Sequence, residues 1–72
     1  MRIIVLSMGR TLGELESNVN KYFNSDRYRI EGHSLMRRES FTSGARVHYE
    51  WREVRGYYIR QRKDCYQCCM MI

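Results

Sequence analysis

The sequence predicts a small α+β domain of strand-helix-strand-strand order. One helix packs on a small antiparallel sheet, and a long hairpin protrudes from it. Three patterns lead there. Ile3 to Met8 is a short, compact apolar run. Leu12, Leu15, Val19, Tyr22 and Phe23 then recur at the spacing of one helical face. From Tyr28 onward, residues alternate with the period of two that marks a strand with two different faces.

The apolar run reads as a central strand. Arg10 and Thr11 open the helix after it. Thr11 and Glu14 have the spacing of a capping box, in which the hydroxyl takes a free amide of the first turn and the carboxylate reaches back. Glu14, Ser17, Asn20 and Lys21 lie largely outside the apolar stripe, and Gly13 weakens the first turn a little. Asn24, Ser25 and Asp26 end the helix.

Residues 28 to 62 read as two long antiparallel strands, 28 to 41 and 45 to 62, joined around Ser43 and Gly44. Tyr28, Ile30, Ser34 and Met36 alternate with Arg29, Glu31, His33 and Arg37 in the first. Val47, Tyr49 and Trp51 alternate with His48, Glu50 and Arg52 in the second. The alternation slips between Trp51 and Val54. A β-bulge near Glu53 accounts for the slip, and Gly56 supports a local irregularity. A second turn at Val54-Arg55-Gly56, giving three shorter strands, is the competing assignment. On this division residues 1–64 form a single α+β domain and residues 65–72 a Cys/Met-rich C-terminal tail.

With 72 residues the chain buries only a modest core, so an enclosed substrate pocket is hard to build, whereas binding needs only a face. No Walker or Rossmann glycine pattern occurs, and Ser7 and Ser40 lack a nucleophile-elbow context. Glu14 and Glu16 stand two apart on a helix and do not converge. His33 and His48 read as ordinary strand residues. A protein without catalytic activity or cofactor is expected. The net charge is +5, and residues 1 to 26 balance three basic groups against three acidic ones, so the surplus lies beyond them. It is carried mostly by arginine, whose planar fork pairs with phosphates and carboxylates and stacks on rings. The expected partner is therefore acidic: nucleic acid, a nucleotide or an acidic protein surface.

Phe41, Tyr49 and Trp51, with Arg37, Arg38, Arg46 and Arg52, are the candidate partner-binding residues, set toward a hairpin tip that the helix cannot cover. Isolated two-stranded ribbons are marginal in water, so the arm is expected to form a homodimer or to rest on a partner. Rings that stack bases beside arginines that neutralise phosphates suit single-stranded or irregular nucleic acid. A purely structural role would instead pack Tyr49 and Trp51 under the helix or a dimer mate, since aromatics are good strand formers. Glu31, Glu39, Glu50 and Glu53 in the same region argue against a pure phosphate tracker. They favour a protein interface, where Trp, Tyr and Arg supply much of the binding energy.

The opening run is too short for a signal-peptide core and no run reaches membrane-spanning length, so a cytoplasmic protein with reduced thiols and no membrane partner is expected. Cys65, Cys68 and Cys69 form a C-x-x-C-C cluster. Only His33 or His48 is available to complete a tetrahedral zinc set, so no metal site is expected. Cys69-Met70-Met71-Ile72 also fits a prenylation pattern, with Cys68 as a second lipid site, although isoleucine is not a usual final residue. Against it stands a frayed or loosely packed apolar tail, or methionines docked on the sheet.

The stretch Thr11-Leu12-Gly13-Glu14-Leu15-Glu16, then Val19-Asn20, Tyr28 to Gly32 and Tyr57-Tyr58, resembles a family of small uncharacterised bacterial and phage domains of strand-helix-hairpin order. The match covers roughly half the chain. Family members typically carry a Gly-Trp pair after the helix, where this chain has Asp26-Arg27-Tyr28, and their hairpin is about twenty residues shorter. The resemblance implies the fold and carries no activity or site residue. Together these features suggest a phage or bacterial accessory protein that inhibits a larger host protein by covering an acidic or nucleic-acid-binding surface. Direct binding of nucleic acid or nucleotides by the same face is the alternative.

Overall fold

The computed structural model describes residues 2–72. Helix α1 (Leu12–Tyr22) starts where the Thr11 hydroxyl accepts the Glu14 amide at 3.0 Å, the expected half of a capping box. It ends as Asn24 turns into the left-handed region at φ 50°. Among the described residues six strands accompany it: β1 (Ile3–Gly9), β2 (Tyr28–Glu31), β3 (Ser34–Ser43), β4 (Arg46–Glu53), β5 (Tyr57–Gln61) and β6 (Tyr66–Met71). They form two three-stranded antiparallel sheets, one ordered β1-β6-β5 and the other β2-β3-β4. A mixed α+β domain is the outcome, with more strands and one more sheet than the sequence suggested.

The core lies where the helix meets the first sheet and the base of the second. Leu15, Val19, Leu35, Ile59 and Cys68 are buried together, ringed by Phe23, Tyr28, Ile30, Val54, Tyr57 and Tyr66. Gly9 sits so close under the helix that an added Cβ would clash with the backbone of Leu15. Asn20 straps the helix to the second sheet. Its amide nitrogen donates to the Tyr28 carbonyl at 3.0 Å, and its amide oxygen accepts the Tyr28 N–H at 2.9 Å. A backbone bond from Val54 N–H to Leu35 O at 2.8 Å carries the β3–β4 ladder one step past Met36↔Glu53, and the Ile59 N–H of β5 donates to His33 O at 2.8 Å, linking the two sheets.

Four expectations are corrected. The run from Ile3 is an edge strand, with Ile3 48% and Val5 37% exposed, because the central position belongs to β6. Apolar content alone does not distinguish a strand buried on both faces from an edge strand with one uncovered face. Residues 65–72 are not a frayed tail: β6 pairs with both β1 and β5, and Cys68 and Cys69 are fully buried. Alternating Tyr66, Cys68 and Met70 against Gln67, Cys69 and Met71 supplies two faces, as a central strand needs.

The first long strand breaks at Gly32 and His33, a two-residue loop between the paired Glu31 and Ser34. Gly32 has φ 59°, which suits glycine and allows the chain to reverse there. The second long strand breaks at Val54-Arg55-Gly56, as the competing assignment had it, and the slip is not a bulge. The chain leaves one sheet for the other, so β5 pairs with β6 rather than with the hairpin.

What remains of the long hairpin is β3 and β4, paired from Met36↔Glu53 to Ser43↔Arg46 around the Gly44-Ala45 loop. It projects beyond the core and draws the molecule out to 48 × 27 × 21 Å. Val47 and Tyr49 on it are 58% and 63% exposed, so no helix covers them.

Candidate arginine-aromatic interface

Directly opposed residues of an antiparallel pair share a face, and the faces alternate along the strand. The register therefore divides the arm. One face carries Arg37, Glu39, Phe41, Arg46, His48, Glu50 and Arg52, continuous with the buried Leu35 at its base. The other carries Met36, Arg38, Ser40, Val47, Tyr49, Trp51 and Glu53, continued onto β2 by Arg29. The seven candidate residues do not form one surface. Arg37, Phe41, Arg46 and Arg52 lie on the first face; Arg38, Tyr49 and Trp51 lie on the second.

The first face largely neutralises itself. Glu39 accepts from Arg37 at 2.9 Å and lies 3.7 Å from Arg52, which also reaches Glu50 at 3.1 Å. Hydrogen bonding to Glu39, followed by the influence of Tyr28, raises the pKa of Arg37 above its ordinary value. His48 stacks on Phe41 at 5.5 Å, and the Arg52 guanidinium lies 4.8 Å from the Phe41 ring centre. Arg37 and Arg52 are directly opposed, an arrangement of like charges that Glu39 relieves.

The second face is built from guanidinium groups laid on rings. Arg29 sits 4.1 Å from the centre of Trp51, and Arg38 sits 5.1 Å from that of Tyr49. Such contacts are worth about 0.5–1 kcal/mol at exposed sites and hold both partners in place. Arg29 is also paired with Glu31. Its Nε is buried against its neighbours without a hydrogen-bond partner. Neither Tyr49 nor Trp51 packs under the helix. The functional role considered for these rings treated them and the candidate arginines as one face, and Arg27 and Arg29 were missed. The missed signal was Gly32: a two-residue turn there reverses the parity of everything after it, and places Arg29 of β2 over Trp51 of β4.

The arm between Ser34 and Glu53 holds four arginines against three glutamates. Most of the +5 lies elsewhere, in Arg55, Arg60, Arg62 and Lys63 against Asp64. The cysteines do not converge. Cys65 follows the β5 end in a turn closed by Arg62 N–H to Cys65 O at 2.7 Å, Cys68 faces the core, and Cys69 is on the opposite face of β6. Among the described residues, no group of three or more His, Cys, Asp and Glu side chains is placed to hold a metal ion. Burial, with a smaller contribution from Cys69, pushes the Cys68 thiol up to about 11. Cys69, fully buried in the middle of the sheet, is not presented to a modifying enzyme unless β6 unpairs. Among the described residues, no helix is long and apolar enough to cross a membrane.

Comparison with protein-family models, curated proteins and solved structures finds no match to this chain.

Proposed function

We propose that this chain is a non-enzymatic interaction protein, a phage or bacterial accessory factor. It inhibits a larger host protein by covering an acidic or nucleic-acid-binding surface with its β3–β4 arm. The observation that supports this most is the arm's second face, where Trp51 and Tyr49 are already stacked by Arg29 and Arg38. Large rings and arginines held in position lose little freedom on docking, which is the character of residues that dominate protein interfaces. A homodimer through the arm remains part of the proposal as a second use of the same surface.

Direct nucleic-acid binding is the second reading, favoured by the arginine count and by exposed Tyr49. Against it, a base must displace or share the guanidinium already on each ring, and the opposite face is laced by Glu39 and Glu50. The test is capture from bacterial lysate by the tagged protein, with and without nuclease, for the natural chain and for Trp51→Ala with Arg52→Ala. A host protein retained after nuclease and lost in the double variant is expected. If captured material vanishes with nuclease and binding falls steeply with salt, phosphate contact is the mechanism instead. Retention by the double variant removes the arm from the function.

A further inference from the structure

Two arginines on the arm's second face lack the counter-charge that their equivalents on the first face possess. Arg38 donates its backbone N–H to Arg27 O at 2.8 Å, extending the β2–β3 ladder one step past Tyr28↔Arg37 and setting Arg27 opposite Arg38. Their side chains, with Ser40 and Tyr49, line a niche of about 130 Å³. Among the described residues, neither arginine is ion-paired with a carboxylate, whereas Arg29, Arg37 and Arg52 all are. On the first face the opposed Arg37 and Arg52 share the carboxylate of Glu39. On the second face the neighbouring residue is Ser40, whose uncharged hydroxyl cannot neutralise the pair. Like charges opposed across two strands repel each other, and a niche lined by two guanidinium groups, a hydroxyl and a phenol offers mainly donors.

We infer that this niche is a carboxylate-binding site, filled by an aspartate or glutamate side chain of the protein partner. The inference rests on the proposed role of the arm and assigns it a recognition point. Glu39 shows on the first face what the missing ligand is: a carboxylate shared between two opposed arginines. Arg38 is oriented for it by its stack on Tyr49, so the incoming group meets a guanidinium already held in place.

The test uses a capped hexaglutamate peptide as the probe and the arginine Nε–H signals in nitrogen-15 NMR as the readout. Saturable shifts confined to Arg27 and Arg38, with the Tyr49 ring moving alongside, are expected. Arg38→Ala should weaken binding about tenfold, the scale of a lost charge-assisted contact. Ser40→Glu should close the niche from within, abolishing peptide binding while raising thermal stability. Lys21→Ala, which removes one positive charge from the helix, should leave peptide affinity unchanged. Equal weakening by Lys21→Ala and Arg38→Ala, or shifts spread over all surface arginines, would overturn the site in favour of diffuse attraction. Saturation by inorganic phosphate without saturation by hexaglutamate would also overturn it, assigning the niche to a phosphoryl ligand. The outcomes separate from those of the arm as a whole. If the peptide ignores the niche while Trp51→Ala still abolishes partner capture, only the niche fails; if the peptide fills it while capture survives the arm variants, the role of the arm fails.

Discussion

Single residues hold the junctions of this small core. Gly9 is there because the helix backbone occupies the space of a Cβ, with Leu15 Cα 2.8 Å from that position. Gly9→Ala should therefore destabilise the protein by about 1–3 kcal/mol, the usual cost of forcing atoms into a filled core, as measured by urea unfolding. Unchanged stability would mean that the helix lies farther from β1. Cys68 gives a second prediction. A thiol whose ordinary value lies near 9 is raised to about 11 in the folded chain by burial. The unfolded chain thus loses its proton first, and the stability due to the neutral buried thiol is complete below pH 9. It declines as pH rises from 9 through about 11. Cys68→Ala should flatten that alkaline decline in a denaturation series. Asn20, bonded to both Tyr28 and the Glu16 carbonyl, and the Glu39 carboxylate, shared by Arg37 and Arg52, show the same economy, one side chain serving two partners.

Elements form where local signals and tertiary partners agree. The helix start was legible because Thr11 and Glu14 carry a local mechanism, and that mechanism operates at 3.0 Å. Thr11→Ala should cost about 1 kcal/mol of stability, measured by thermal or urea unfolding, and a loss of only a few tenths would show that the cap contributes little. The helical stripe was legible in part: Leu15 and Val19 are buried, while Leu12 and Tyr22 are 41% and 55% exposed. Spacing gives the face of a helix but not how much of it a small sheet can cover. Strand ends were less legible. The arm's turn was placed to within a residue: Gly44 is in it, while Ser43 is the last residue of β3, paired with Arg46. Gly32 was passed over because Ile30 and Glu31 before it and Ser34 and Leu35 after it look equally extended. The C-terminal segment was misplaced for a different reason: three cysteines and three final apolar residues suggested chemistry or fraying, whereas pairing on both sides makes the segment a central strand.

For the whole molecule, the separation of arm from core is the main consequence. The buried residues Leu15, Val19, Leu35, Ile59, Cys68 and Cys69 all lie outside the segment from Glu39 to Glu50. Replacing that segment by Asn-Gly, so that the Arg38↔Trp51 pair is closed by a two-residue turn, should leave a folded protein with a melting temperature within a few degrees of the natural one. Partner capture should be lost at the same time. A chain that unfolds on this deletion would show that the arm is structural. The net charge has the same division: the arm is close to balanced, and most of the excess sits around Arg55, Arg60, Arg62 and Lys63 near the sheet of β1, β5 and β6.

By itself the sequence determined the class of the domain, the capped helix, a turn at Gly44 and an arm rich in arginine and aromatic residues. These are local properties, set by spacing, capping chemistry and residue type within a few positions. Only the tertiary structure decided which side of the arm each residue occupies, that β6 rather than β1 is central, and that Arg27 stands opposite Arg38. Those outcomes depend on register, and one glycine turn changes the facing of every residue beyond it. Composition does not encode parity, so the candidate residues were visible as a set while their division between a neutralised face and an unsatisfied one was not.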